Sequence, residues 1–599
     1  MSLSYERLNV VQVRDPRTIL ENKRDYAVLR AGSQTTFKQF TTTSVSQSSI
    51  QFSCPPPSGG VIIDRKQYFL LPIRLTFIGQ APVGQLLLNP GQDAPRAFPI
   101  SSSIDTLQVS INNQSVSINM ADIIHPLLHF NTCTKLSERE YSMTPSLLDQ
   151  AQSYSSLFGT NRSPLSFYGD SVDQAMMPRG GFPFTIVSNT NTSAVVDMVC
   201  CEPLFLSPFY WGHGNSSGFY NVNTMDFNIT FLGNAGNRMW SHDAVSSGVP
   251  TNITSVSAQF SNFQGAPFSY SDNVPLMLFQ YITPNETQVL PFDRPITYPY
   301  FDVQRFPTDS QNAIAAGSQT IMNSNNIQLN SIPRRMYVFM RERNADLYST
   351  PNNPDTFFSI ENISVQFMNK NGLLASANKR QLYEMSVKNH CALSWTQWSG
   401  DLTYLDGSFG QKIGTVGSLL CIEFATDIGL DSLDAPGKLG QYMLQVNVTG
   451  KNNSNRNITP SLYVIVVSEG TFTIEGLGKA STNIGVISSE DILNAQQNPF
   501  VNYKDVEHVN GGNFLSGVKD FGKLFLDGLK RWDDRAGRAL DTLMGDIAPT
   551  VIKNLIPGRQ LMNALPNVAS GNGGVMVGGV SVGGGRLMSR EQLRNRLRG

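Results

Sequence analysis

Five patterns in this chain have residue types and spacing that could carry chemistry. Gly214-x-Ser216-x-Gly218 has the spacing of a nucleophile elbow. An elbow needs a buried strand before the serine and a helix after it. Here Trp211-Gly212-His213 precedes and Phe219-Tyr220-Asn221 follows, which reads as a glycine-rich loop. His125 and His129 stand four apart, as zinc ligands on a helix do, but Pro126 lies between them and no Glu follows the first His, so no metal is expected. Asp and Asn in the 401–407 turn could hold a cation; such residues more often shape the turn itself. No phosphate loop, dinucleotide fingerprint or calcium loop occurs, so no cofactor is expected and the chain does not read as an enzyme. Met576-Val577-Gly578-Gly579-Val580 is different in kind, because it could be a substrate. Gly-Gly supplies an extended strand without side chains, which a narrow protease groove can accept. The fifth pattern is an amphipathic stretch over 514–544, with Phe514, Val518, Phe521, Phe525, Leu529 and Trp532 at helical spacing and Lys, Arg and Asp between them. It fits a helix docked on its own domain, or one facing a partner or a membrane surface.

The rest of the chain must position these features. At 599 residues it exceeds one ordinary core, and two large or several small domains are expected. Charged residues make up 15% and the net charge is −1. Average soluble proteins carry about 25%. Asn, Ser, Thr and Gln take the place of the missing charge. Such a surface suits either a protein that buries much of its outside against neighbours or an ordinary Asn/Ser/Thr-rich β-protein. It excludes wholesale coating of nucleic acid, which needs a basic surface. The six cysteines, Cys54, Cys133, Cys200, Cys201, Cys391 and Cys421, show no CxxC spacing and read as free thiols of a reducing compartment. The N-terminal residues lack the pattern of a signal peptide, and no apolar run approaches the ~20 residues that span a bilayer. The sequons at Asn228, Asn285 and Asn447 read as accidents of composition.

Along the chain, residues 1–30 form an arm with charges of both signs, and 31–290 is strand-like text broken by Pro, Gly and Asn. A short helix, kinked or ended at Pro126, is expected over 120–130, and a long loop over 131–180. The three prolines within 291–300 predict a connector. A second β-unit follows to about 480, with strands at 336–340, 359–367, 419–424 and 462–467 and a helix over 378–389 that turns Leu382, Met385 and Tyr383 inward. Ser488-x-x-Asp491 resembles a capping box opening a helical region, 481–557. The tail, 558–599, is flexible and Gly-rich, with a basic end at Arg590, Arg594, Arg596 and Arg598.

One pattern joins the two β-units. Ser103-Ile104-Asp105-x-Leu107-x-Val109-x-Ile111-x-Asn113 lines up without a gap with Ser359-Ile360-Glu361-x-Ile363-x-Val365-x-Phe367-x-Asn369. Each copy alternates at period 2, is followed by a more helical stretch, and is echoed later by a strand (225–231 and 442–448) and then a dense apolar strand (275–279 and 462–467). The pattern predicts one β-rich unit built twice.

The chain as a whole resembles the double jelly-roll major capsid proteins of virophages and Polinton-like viruses. The resemblance is carried by Leu8-Asn-Val-Val-x-Val, Arg96-Ala-Phe-Pro-Ile-Ser-Ser, Pro178-Arg179-Gly180, Trp240-Ser241-His242, Ile296-Thr-Tyr-Pro-Tyr-Phe301 and Ser331-Ile332-Pro333-Arg334, with the Gly-rich tail closing in Arg, Gln and Leu. It implies a mainly β fold of two tandem eight-stranded antiparallel jelly rolls, 31–290 and 291–480. It further implies homotrimers with a pseudo-hexameric outline that tile an icosahedral shell of a small double-stranded DNA virus. The implied partners are neighbouring capsomers, penton and minor capsid proteins and, indirectly, the viral DNA or an internal membrane. The implied location is the virion, assembled inside the host cell rather than secreted. Adenovirus-type cysteine proteases cut sites resembling Gly578-Gly579-Val580, and the resemblance implies that a viral protease of this kind removes 580–599. Contact loops are expected at 131–180 and 205–222.

Two other readings are weaker. A carbohydrate-active or lectin-like sandwich needs a carboxylate pair and an aromatic groove, and the chain has five Trp and no evident pair. A penton or minor capsid protein would carry one jelly roll, against the tandem echo.

Overall fold

A computed structural model describes residues 34–55, 61–88, 93–96, 98–130, 184–209, 218–242, 252–260, 274–284, 294–351, 358–406, 409–454, 456–476, 478–485, 487–494, 575–577 and 580–582. The strands alternate as their residues dictate. In Met225–Phe231, Met225, Phe227, Ile229 and Phe231 are buried, while Asp226 is exposed and Asn228 and Thr230 are half-buried.

Eight strands frame the first β-unit, β1 (Gln34–Thr41), β2 (Ser49–Ser53), β3 (Tyr68–Gln80), β4 (Ile104–Ile111), β5 (Gln114–Ile118), β6 (Ser193–Pro203), β7 (Met225–Phe231) and β8 (Leu276–Thr283), and further strands extend its sheets, among them Phe184–Asn189 on β6 and Asn252–Gln259 on β3. They form two antiparallel sheets in the orders β1-β8-β3-β6 and β2-β7-β4-β5. The second unit contains β9 (Ile296–Asp309), β10 (Gln319–Asn323) and β11 (Ile327–Ser331), β12 (Arg335–Glu342), β13 (Ser359–Phe367), β14 (Lys370–Leu373), β15 (Leu420–Glu423), β16 (Leu439–Lys451) and β17 (Pro460–Ile474). Its sheets run β9-β17-β12-β15 and β10-β16-β13-β14, with β11 also on β16. Strand for strand the second order repeats the first, with β10 and β11 together in the place of β2. Two facing four-stranded sheets of this connectivity are a jelly roll, and the chain holds two.

The sequence echo falls on β4 and β13. Ile104, Leu107, Val109 and Ile111 are buried, as are Ile360, Ile363, Val365 and Phe367. Even the irregularity repeats: the β4–β7 ladder skips Asp105 and the β13–β16 ladder skips Glu361. The expected partners 225–231 and 442–448 occupy matching places beside them as β7 and within β16, and the apolar runs lie in β8 and β17. Each echo strand precedes a helix: α1 (Met120–His129) after β5, and α3 (Lys379–Lys388) after β14. Between them lies α2 (Ala235–Met239), and α4 (Trp395–Ser399) follows α3. Pro126 sits inside α1 without ending it. Asn378 and Gln381 cap α3 reciprocally, with Leu382 buried and Tyr383 and Met385 half-buried. Ser488 and Asp491 form the expected capping pair before Ser489–Asn494.

Three expectations are corrected. The proline-rich stretch is a connector only in part, because Ile296–Asp309 is one continuous strand. It is tolerated because β9 is an edge strand, where a missing N–H on the open side breaks no ladder. Phe301 N–H, of the same parity as Pro299 and Pro307, leaves the sheet to meet Ser207 Oγ at 2.9 Å. Residues 401–406, read as turn residues, are a strand, Asp401–Asp406, laddered to Phe409–Gly414. Within the expected contact loop 205–222, Phe205, Leu206, Phe209 and Phe219 are buried core side chains, and 210–217 lie outside the described residues.

Candidate assembly interface

The two rolls are joined by a buried polar seam. Asp122 of α1, 2% exposed, reaches the second roll and accepts hydrogen bonds from Arg341 of β12 and Arg305 of β9. Asn344 Nδ2 at 3.1 Å and Tyr348 OH at 3.4 Å complete the set. Arg341 is itself buried, with its guanidinium 4.8 Å from the Tyr463 ring centroid. Removing one partner of such a network strands a buried charge, so it enforces a single arrangement of the rolls.

Further along the seam, Arg96 donates through Nε to the Trp240 carbonyl and through Nη2 to the Pro351 carbonyl, both at 2.8 Å. Asn237 Nδ2 donates to the carbonyls of Tyr348 and Ser349 at 3.0 and 3.1 Å. His242 N–H reaches Pro351 O at 3.2 Å, and its Nδ1 lies 2.8 Å from Asp93 Oδ1. At another point Tyr298 OH donates to Gly218 O at 3.0 Å, and Arg65 lies 5.6 Å from the Tyr298 ring centroid. Phe130 and Tyr337 add an aromatic contact with centroids 4.9 Å apart.

Beneath the seam, Glu202 at the end of β6 is fully buried and accepts from Ile100 N at 2.8 Å, Ser101 N at 2.7 Å and Ser101 Oγ at 2.5 Å. Burial raises its carboxyl and these donors lower it; burial wins, and the carboxyl is pushed up to about 7. The segment it grips, 96–103, carries Arg96 to the second roll.

Sequence reading missed these residues as a site. A signal existed: Arg65, Arg96, Arg238 and Arg341 are among the largest fully buried side chains of a charge-poor chain, and Arg341 closes an apolar run. Three of the segments that carry the family resemblance, 96–102, 240–242 and 296–301, lie on the seam. A fourth, 331–334, lies within the second roll, where Arg334 pairs with Glu469. Leu8 and Pro178-Arg179-Gly180 lie outside the described residues.

Gly578 and Gly579 lie outside the described residues too, but Val580 begins the strand Val580–Val582, which pairs with Val575–Val577 on the other side of the Gly-Gly step. Phe514, Val518, Phe521, Phe525, Leu529 and Trp532 also fall outside them, as do the arm at 1–30 and the loop at 131–180. Residues 214 and 216 of the elbow pattern are not described, but Gly218 and Phe219 follow as an antiparallel bridge to Ile63, not as a helix. Cys54, Cys200, Cys201, Cys391 and Cys421 are free and buried, and burial pushes Cys201 and Cys391 up to about 12, so they stay as unreactive thiols. Among the described residues no group of three or more His, Cys, Asp or Glu could hold a metal, and no helix is long and apolar enough to cross a membrane.

Two jelly rolls in tandem, welded by a buried seam, define the class of double jelly-roll capsid proteins. Residues 7–271 match the family described as Sputnik virophage major capsid protein 1st domain, and residues 303–470 match Major capsid protein V20 C-terminal domain. The chain is 34% identical to the V20 capsid protein of Sputnik virophage over 616 aligned positions, covering 100% of both. It superposes on a chain of the Sputnik virophage structure with a TM-score of 0.75 at 33% identity, covering 85% of this chain and 100% of that one. The mavirus major capsid protein matches in fold, with a TM-score of 0.65 at 16% identity over 83% of this chain and 99% of that one. The chain belongs to the virophage major capsid protein family, and as a capsid protein it is a component of the virion.

Proposed function

We propose that three copies of this chain associate into a pseudo-hexameric capsomer and that these capsomers tile the icosahedral shell of a small double-stranded DNA virus. The observation that carries this reading is the repeated strand order of two rolls locked side by side. Two similar blocks per chain give six per trimer, a shape that packs hexagonally. Apolar burial between chains supplies the drive, at roughly 25 cal/mol per Å² before association costs. Contacts between capsomers can each be weak, because a closed shell makes many of them. Penton and minor capsid proteins would fill the remaining shell positions. We further assign Gly578-Gly579-Val580 as the step cut by a viral cysteine protease, releasing 580–599, and 514–544 as a helix that meets a partner on the inner side.

The test is the mass in solution of residues 1–579 by light scattering, with negative-stain imaging. Trimers with a hexagonal outline are expected. A monodisperse monomer overturns the reading and turns attention to glycan binding.

A further inference from the structure

The two rolls differ in what covers the outer face of one sheet. In the second roll, the outer face of β9-β17-β12-β15 is covered by the first roll's α1: Asp122 reaches Arg341 and Arg305, and Phe130 packs on Tyr337. Every residue of β12 is buried, and so are the first nine of β17. Among the described residues, the equivalent sheet of the first roll, β1-β8-β3-β6, is open along β1 and β8, whereas Asp197, Val199 and Cys201 on the outer side of β6 are buried. On that side Phe37 is 76% exposed and Leu70, Leu278 and Ile282 are half-buried; Ile78, 55% exposed, lies at the far end of β3, beyond its ladder with β8. The paired registers Phe37↔Gln280, Gln39↔Leu278 and Thr35↔Ile282 place the β1 and β8 members on one face, opposite the interior set of Met277 and Phe279. The face is mixed: Gln39 and Gln280 stand beside Phe37, Leu278 and Ile282, and the Arg74–Asp197 ion pair lies further along the sheet, so the exposed apolar members gather on the β1–β8 side.

The duplication supplies the missing element. α1 and α3 are equivalent: each follows the fifth strand of its roll and packs on the fourth, β4 or β13. Within one chain α1 has a neighbouring roll to cover. Among the described residues α3 and the adjoining α4 have none, and they expose Val387 and Trp395, 43% and 41%.

We propose that the outer face of β1-β8-β3-β6 is the seat for the α3–α4 region of a second copy of this chain, repeating between chains the contact that α1 makes within one. The contact is head-to-tail, so a closed ring of copies fills every seat. This rests on the trimer reading above and names the surfaces that would build it.

The experiment uses the full chain with a photoreactive benzoylphenylalanine in place of Phe37, an exposed aromatic position. After irradiation the crosslinked peptides are mapped by mass spectrometry. A crosslink to residues 379–399 of another chain is expected. In parallel, Phe37→Glu and the double variant Val387→Glu, Trp395→Glu are compared with wild type by sedimentation. Each places charge in an apolar contact and should raise the dissociation constant at least about 30-fold. The monomer's melting midpoint should not move for Phe37→Glu, whose side chain is 76% exposed; the double variant loses the packing of Trp395 on Tyr383 and Trp398, so its midpoint should fall while the monomer stays folded. A trimeric wild type whose crosslink maps elsewhere, or whose variants associate as tightly as it does, overturns this inference and leaves the trimer reading standing. A monomeric wild type overturns both.

Discussion

Arg96 Nη2 donates to the Pro351 carbonyl at 2.8 Å across 255 residues of chain, and the same guanidinium holds the Trp240 carbonyl. One planar fork thus ties a loop of the first roll to a loop of the second. Lysine offers a point charge and cannot bridge both acceptors. Arg96→Lys is expected to lower stability by about 2–3 kcal/mol, since hydrogen bonds to charged groups contribute about 1.5–3 kcal/mol each. The midpoint of urea unfolding measures it, and an unchanged midpoint would show that the fork is dispensable.

Asp122→Asn keeps the shape of the side chain and removes the charge between Arg341 and Arg305. A buried partner left uncompensated costs about 3–5 kcal/mol. The Arg343–Asp346 pair on the surface is the control: both side chains are more than a third exposed, and Asp346→Asn should leave the midpoint where it was. Equal effects from the two variants would argue that the seam is not special.

Gly236 has its would-be Cβ 2.4 Å from the Val256 carbonyl oxygen, which is backbone and cannot rotate away. Propensity alone favours alanine in a helix by about 1 kcal/mol. The clash should win, giving a net loss of about 1–3 kcal/mol for Gly236→Ala. The adjoining Asn237 would be drawn off the Tyr348 and Ser349 carbonyls. A more stable variant, read by the same unfolding midpoint, would mean that α2 can shift freely.

Glu202 makes stability depend on pH. Its carboxyl ionises near 4.5 in the unfolded chain and near 7 in the fold. The fold therefore holds a proton that the unfolded chain has already released. This contribution is fully present below pH 4.5, is lost as pH rises towards 7, and then levels off, at a cost on the order of 3 kcal/mol. Subtracting the stability profile of Glu202→Gln from that of wild type between pH 4 and 8 isolates the slope. A flat difference would place the carboxyl at its ordinary value.

Gly579→Asp puts a branched, charged side chain where a narrow protease groove needs none. The intact mass of the chain in particles should then retain residues 580–599, whereas wild type should lose them. The paired strands on either side of the Gly-Gly step must separate before cutting. Loss of the same tail from the variant would move the cleavage site elsewhere.

Much of the fold was legible because a strand that buries one face leaves a period-2 trace, and two copies of β4 leave it twice. The seam was not legible, because its residues are far apart in sequence and each has an innocent local reading. Asp122 passes as a first-turn helix residue and Arg341 as the polar end of a strand. Pro299 misled for a physical reason: proline forbids a central strand, but the edge position of β9 depends on pairings made more than 150 residues away. The tail motifs were legible only as composition and spacing, and most of their residues lie outside the described ones.

Pro299 and Pro307 also guard against a hazard of crowding. Both remove donors along the open side of β9, and Ser207 occupies the N–H of Phe301 between them. A bare edge recruits strands from other molecules and seeds amyloid-like polymers. Capsid chains must accumulate at high local concentration before a shell closes. With this border blunted, copies that meet at β9 cannot zip into a continuous sheet, and growth is left to face contacts that end in a finite particle.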